Sequence, residues 1–105
     1  MIIIGIDPGT ATCGYGVVRM DASRLIPISF GVFSTPSKML MEMRLHKIYE
    51  EFQELLEQHS PDCISVEKLF FNKNVTTAIT VAQARGVILL AAAVKGIPVV
   101  EYTPL

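Results

Sequence analysis

Two acidic residues stand where apolar runs break off. Asp7 closes Ile2-Ile3-Ile4-Gly5-Ile6 and is followed by Pro8-Gly9, and Glu67 closes Cys63-Ile64-Ser65-Val66. Parallel neighbours in a sheet lie about 4.8 Å apart, so carboxylates at the same ends of two such strands converge on one point. Pro8 biases Asp7 towards extended backbone and Gly9 permits the tight turn that follows, which holds the side chain at the mouth of the sheet. A pair of carboxylates so placed calls for a counter-charge. Mg²⁺ or Mn²⁺ suits oxygen ligands and keeps several waters, and such ions in pairs clamp the attacking and leaving oxygens of a phosphodiester. The competing reading is that Asp-Pro-Gly is ordinary turn chemistry and Glu67 a cap on an exposed strand end. Of the rival acids, Asp62 falls at the opposite end of the second run and Glu101 has no partner in this reading, so both are taken as structural.

The elements that must position this pair follow from spacing. Residues 2–7, 14–20 and 25–33 are short runs rich in Ile, Val, Tyr and Phe, read as three strands joined in antiparallel hairpins through residues 8–13 and 21–23. From Leu40 to about His59 the residues Met41, Leu45, Ile48, Tyr49, Phe52, Leu55 and Leu56 recur at helical spacing, with Glu42, Arg44, Lys47, Glu50, Glu51, Glu54 and Glu57 as a solvated outer face. Residues 63–67 form a fourth strand, 70–74 a loop, 75–95 a second helix and 97–102 a fifth strand, with Gly96 and Pro98 marking the exit. A helix between strands requires parallel pairing by right-handed crossover. With strand 4 beside strand 1, the order is 3-2-1-4-5, and the winding switches between strands 1 and 4, where ligands bind outside the carboxyl ends. The expected fold is α/β: a mixed five-stranded sheet with helices packed on it, in a single domain over residues 1–105.

Composition narrows the function classes. Half of the 105 residues are hydrophobic and 18% are charged, and the mean hydropathy of +0.44 is high enough to suggest a surface meant for a partner. The longest apolar run, residues 86–94 between Arg85 and Lys95, is about half the roughly 20 residues of a membrane span, so no span is expected. Residue 1 leads straight into a strand with no basic leader, from which a cytoplasmic location is expected. Cys13 and Cys63 are fifty residues apart and the histidines, His46 and His59, lie away from both, which matches no zinc site; the cysteines read as reduced packing residues. A net charge of −1 carries no bulk basic signature, so any contact with DNA must rest on a local patch.

Four segments taken together carry a family likeness: residues 5–18 (GIDPGTATCGYGVV), 66–74 (VEKLFFNKN), 83–86 (QARG) and 100–105 (VEYTPL). In order and spacing the chain resembles the RuvC family of Holliday-junction resolvases over its whole length. The resemblance implies an RNase H-like fold and a homodimeric, Mg²⁺-dependent endonuclease, with Mn²⁺ able to substitute. Such an enzyme nicks two strands of a four-way DNA junction symmetrically during recombination and repair, in complex with a branch-migration helicase. It makes Asp7 and Glu67 two of the family's acidic metal ligands and Phe70 the aromatic that probes the junction. Family members continue past the VEYTPL-like segment into further helices that bear their remaining catalytic carboxylates, so on this likeness residues 1–105 form a nuclease domain that is incomplete at its C-terminal end.

The loop after Glu67 holds Phe70, Phe71, Asn72, Lys73 and Asn74, two aromatics beside a cation, suited to stacking on an unpaired base and to contact with phosphate. Phe70, Lys73, Asn74 and Arg85 are the candidate DNA contacts. The alternatives are that a phenylalanine closes the core, that Lys73 is a solvated loop charge and that Arg85 pairs with an acid. Two other functions fit parts of the chain. An actin-like ATPase or sugar-kinase lobe also opens with a strand, Gly-Ile-Asp-x-Gly-Thr and a hairpin that cradles phosphate, here at Gly9-Thr10, but nothing in it asks for Glu67 or the FFNKN loop. The other is a non-catalytic dimerisation or binding module.

Overall fold

Apolar residues at two-residue spacing make strands here, and those at three-to-four-residue spacing make helices. The computed structural model describes residues 1–67 and 75–102. Along them run β1 (Ile2–Asp7), β2 (Thr12–Asp21), β3 (Arg24–Ser34), α1 (Met41–His59), β4 (Cys63–Glu67), α2 (Val75–Val94) and β5 (Val99–Tyr102). The strands form one sheet in the order β3-β2-β1-β4-β5; β1 pairs antiparallel with β2, β2 antiparallel with β3, and β4 parallel with both β1 and β5. The expected α/β sheet and its order are therefore present.

Differences from expectation fall at element ends. β2 and β3 pair as far as Asp21 and Arg24, because a two-residue turn at Ala22-Ser23, with Ala22 at φ 57°, closes the hairpin. β5 begins at Val99, later than the expected residue 97. Gly96, at φ 68°, donates its N–H to the Ala93 carbonyl, and Ile97 donates to Ala92. This pairing closes α2 with a left-handed glycine, so Ile97 belongs to the helix cap.

Both crossovers, β3 to β4 through α1 and β4 to β5 through α2, move in the same direction across the sheet, so right-handed connections place both helices on one face. α1 and α2 meet there: Gln53 Nε2 donates to the Ala91 carbonyl at 3.0 Å, and Lys95 pairs with Glu57 at 2.7 Å. Beneath them Ile4, Ile6, Val17, Ile64 and Val66 from the sheet pack with Ile48, Phe52, Leu56, Ala84, Ile88 and Ala91 from the helices. Each large side chain removed from water in this layer contributes roughly 1.5–3 kcal/mol. The opposite face of the sheet has no helix on it among the described residues.

The expectation that no stretch could span a membrane is corrected on composition. The Thr77–Val94 window of α2 has a mean hydropathy of 1.7 over 18 residues, long and apolar enough by that measure alone. The uninterrupted apolar run understated the helix, because its alanines keep the average high and only Thr77, Thr80, Gln83, Arg85 and Gly86 pull it down. The position of α2 gives it another role: it connects two parallel strands of one sheet and buries Ala84, Ile88, Ala91 and Ala92 against the core.

Candidate active site

The last pair in the β1–β4 ladder is Ile6 with Val66, so Asp7 and Glu67 are the next residues along on adjacent parallel strands. Side chains alternate across a sheet. Ile4, Ile6, Ile64 and Val66 are buried under the helices, which turns Asp7 and Glu67 to the other, open face. Asp7 is exposed and Glu67 half-buried. The two carboxylates thus share both an end and a face of the sheet, as the spacing argument requires. Two adjacent carboxylates open to solvent suit a hard divalent cation that keeps several waters. Among the described residues no group of three or more His, Cys, Asp or Glu side chains gathers around a common point.

The open face beside these acids carries a feature the sequence reading missed. Asp7 pairs across the ladder with Gly14, Gly5 with Gly16, and Gly5 on its other side with Ser65. A Cβ built on Gly5, Gly14 or Gly16 would meet nothing within 4 Å. These glycines are therefore not required by crowding inside the fold. They leave a shelf of bare backbone next to the carboxylates, over which a bulky polymer can approach closely. Phe30, which is 85% exposed, and Val32 border the shelf, since Gly16 pairs with Phe30 and Gly14 with Val32. The signal was available: glycines at two-residue spacing in Gly14-Tyr15-Gly16 must lie on one face of a strand.

The other candidates divide. Arg85 Nη2 donates to Glu101 Oε2 in an ion pair, and Arg85 Nε reaches the Glu67 carbonyl at 3.4 Å. Pairing with an acid is thus the alternative realised for Arg85, whose side chain is only 15% exposed. Glu101, taken like Asp62 as structural, is the acid that holds Arg85. It pairs in register with Val66, on the helix-covered side, where α2 passes; the crossover makes this contact, and local spacing could not show it. Asp62 is structural as expected: its Oδ2 accepts the Ile2 N–H at 2.7 Å and ties the start of β4 to that of β1. Phe70, Lys73 and Asn74 lie outside the described residues.

The turn that follows Asp7 is tightly held. Pro8 is buried, and a Cβ on Gly9 would fall on the Thr12 carbonyl oxygen, so only glycine fits there. The Gly9 backbone bonds to Cys13, which is fully buried and free, as is the half-buried Cys63. Burial pushes the Cys13 thiol from 9.0 up to about 11; the Gly9 bond opposes this shift and the Asp7 charge reinforces it. The folded pKa lies above the unfolded one, so this group's contribution to stability is intact below about pH 9 and declines as pH rises from 9 towards 11. Thermal unfolding from pH 7 to 10.5 should show a steeper alkaline loss in the native sequence than in Cys13→Ala. Equal slopes would refute the assignment.

The sequence model of the family described as crossover junction endodeoxyribonuclease RuvC matches residues 3–105. The chain belongs to the RuvC family. It is 54% identical over 105 residues to the RuvC protein of Syntrophomonas wolfei, covering 100% of this chain and 61% of the relative. With RuvC of Brevibacillus brevis it shares 56% over 105 residues, covering 100% of this chain and 63% of that one. The Thermus thermophilus RuvC structure in complex with Holliday junction substrate superposes with a TM-score of 0.92 at 30% identity, covering 99% of this chain and 66% of that chain. The fold is thus the RNase H-like one found in RuvC. This chain spans about three-fifths of the length of the curated RuvC relatives it matches.

Proposed function

We propose that this chain supplies Asp7 and Glu67 to the metal-dependent nuclease centre of a Holliday-junction resolvase, acting as a homodimer on four-way DNA junctions. One observation carries the reading: two carboxylates from adjacent parallel strands share the open, glycine-paved face of a RuvC-family sheet. Asp7 and Glu67 would together hold Mg²⁺, or Mn²⁺ in its place. When bound, such an ion supplies Lewis-acid polarisation of a phosphodiester and lowers the pKa of a coordinated water. The remaining contributions come from the chain. Bare backbone at Gly5, Gly14 and Gly16 admits the sugar-phosphate chain close to the acids. The Gly9 turn and the Arg85 contact to the Glu67 carbonyl fix the strand ends that carry them. Phe70, Lys73 and Asn74 would follow Glu67 directly along the chain and meet the junction, Phe70 by stacking on an unpaired base. Arg85 would reach DNA only by releasing Glu101.

The homodimer in this proposal rests on α2. Ile79, Gln83, Gly86, Leu90 and Val94 are exposed and recur at intervals of three or four, one stripe along the helix. Their apolar members are covered by nothing in the described fold, and Gly86 permits close approach of a second helix related by a two-fold axis. Sedimentation at high micromolar concentration should give a dimer for the native sequence and a monomer for Leu90→Glu. A native monomer at that concentration would overturn the interface. Association with a branch-migration helicase, and a cytoplasmic location with the DNA, complete the reading on family resemblance. An actin-like nucleotide lobe is disfavoured by the RuvC match along the whole chain. Cleavage of a synthetic four-way junction against a linear duplex of the same sequence tests the function. Paired symmetric nicks in the junction alone are expected from a chain extended to the length of its relatives, and equal cutting of the duplex would contradict junction recognition.

A further inference from the structure

The segment between Asp7 and β2 is gripped from a distance by one residue of the loop after β3. Thr35 is 7% exposed, the one buried polar side chain among the described residues. Its backbone N–H donates to the Ala11 carbonyl at 3.1 Å, and its hydroxyl donates to the Thr10 carbonyl. Two successive carbonyls of the turn are therefore held by one residue that lies beyond the whole β2–β3 hairpin. The hydroxyl's orientation is set from its other side. Arg44, in the first turn of α1, donates its Nε to Thr35 Oγ1 at 2.8 Å. A hydroxyl that accepts from a guanidinium directs its own proton elsewhere, and here that direction is Thr10. A charged donor at the head of the chain strengthens both bonds. One turn further on, Lys47 Nζ donates to the Ser34 carbonyl at 2.7 Å and pairs with Glu51, which fixes the end of β3 to α1.

We propose that Thr35 is a positioning residue for the Asp7 carboxylate, with Arg44 setting the direction of its hydroxyl, so that α1 holds the metal-binding turn through the chain Arg44–Thr35–Thr10. Asp7 is the last residue of β1, and the carbonyls held by Thr35 lie three and four residues beyond it. With β1 fixed in the middle of the sheet on one side and Thr35 fixing the turn on the other, the backbone of residues 8–11 has little freedom to carry Asp7 off the open face. Partners that hydrogen-bond a ligand directly are worth about 10–100-fold in metal affinity or activity, and Thr35, which acts through the backbone of the turn, is expected at the lower end of that range.

The inference rests on the reading of Asp7 as a metal ligand, and its test separates the two. In the 105-residue chain, Mn²⁺ is titrated while the paramagnetic broadening of the Asp7 amide signal is followed, and amide hydrogen exchange is measured for residues 9–12 and for α1. Thr35→Val keeps the shape and the backbone N–H but removes the hydroxyl. It should raise the Mn²⁺ midpoint at Asp7 about tenfold and speed exchange selectively in residues 9–12, while exchange in the middle of α1 changes little. Thr35→Ser should restore both, because the hydroxyl is the active group. Arg44→Met should act in the same direction as Thr35→Val. An unchanged Mn²⁺ midpoint in Thr35→Val, or failure of Thr35→Ser to recover, overturns the proposal. Uniform acceleration of exchange throughout the chain also overturns it, since that marks a merely structural loss. If Asp7→Asn leaves Mn²⁺ binding unaltered, the reading of the metal site fails instead, and selective exchange in residues 9–12 then decides the clamp alone.

Discussion

Asp7→Asn is expected to cripple junction cleavage by a chain extended to the length of its RuvC relatives, lowering the rate by about 10²–10³-fold, the scale of losing a positioned electrostatic contact in a transition state. The exchange keeps the size of the side chain and removes its charge. Asp7 is exposed and accepts no hydrogen bond that the fold depends on among the described contacts, so the melting temperature should stay near that of the parent. Glu67→Gln should behave alike, although its half-buried position makes a small change in stability part of the expectation. Junction binding without metal should persist in both variants, because the proposed DNA contacts lie elsewhere. Single-turnover rates with a labelled four-way junction, together with thermal melts, check this. Cleavage within tenfold of the parent in either variant would remove that carboxylate from the centre.

Residues 1–105 alone are expected not to cut a four-way junction. Holding ions in fixed positions around a phosphate takes enough carboxylate to neutralise and orient them, and a loosely held ion loses the orientation on which the mechanism depends. Asp7 and Glu67 are two acids, and no group of three or more metal-ligating side chains exists among the described residues. Mg²⁺ affinity should accordingly be weak. The comparison is between this chain and one extended past Leu105 as in its relatives, on the same junction with Mg²⁺ or Mn²⁺. Paired symmetric nicks are expected from the longer chain and none above background from the shorter. Symmetric nicking at similar rates by both would show that two acids suffice, and would overturn this account of the mechanism.

The route from residues to fold was short where local pattern and topology agree. Cys63-Ile64-Ser65-Val66-Glu67 alternates and ends in an acid, and β4 occupies those residues. The helical recurrence of Ile48, Phe52, Leu55 and Leu56 is the buried stripe of α1. The convergence of Asp7 and Glu67 needed only the strand order and the parity of side chains. What escaped depends on contacts between segments remote in sequence. Glu101 finds Arg85 because β5 lies beside β4 under α2, and Thr35 reaches Thr10 and Ala11 because the β2–β3 hairpin returns the chain to its own start. Neither residue type announces such a role, since a threonine after a strand is ordinary loop chemistry. The glycine shelf was legible in principle, but one strand's glycines have meaning as a site only beside those of its neighbour.

The most direct test of the central claim, that Asp7 and Glu67 form one metal site on the open face, is paramagnetic relaxation by Mn²⁺ mapped across the backbone amides of the 105-residue chain. The account predicts broadening that starts at Asp7, Glu67 and the facing glycines Gly5 and Gly14, weakens in each single variant and vanishes from these positions in Asp7→Asn with Glu67→Gln. Broadening centred instead on the acidic outer face of α1, around Glu50, Glu54 and Glu57, or undiminished at the strand ends in the double variant, would contradict it.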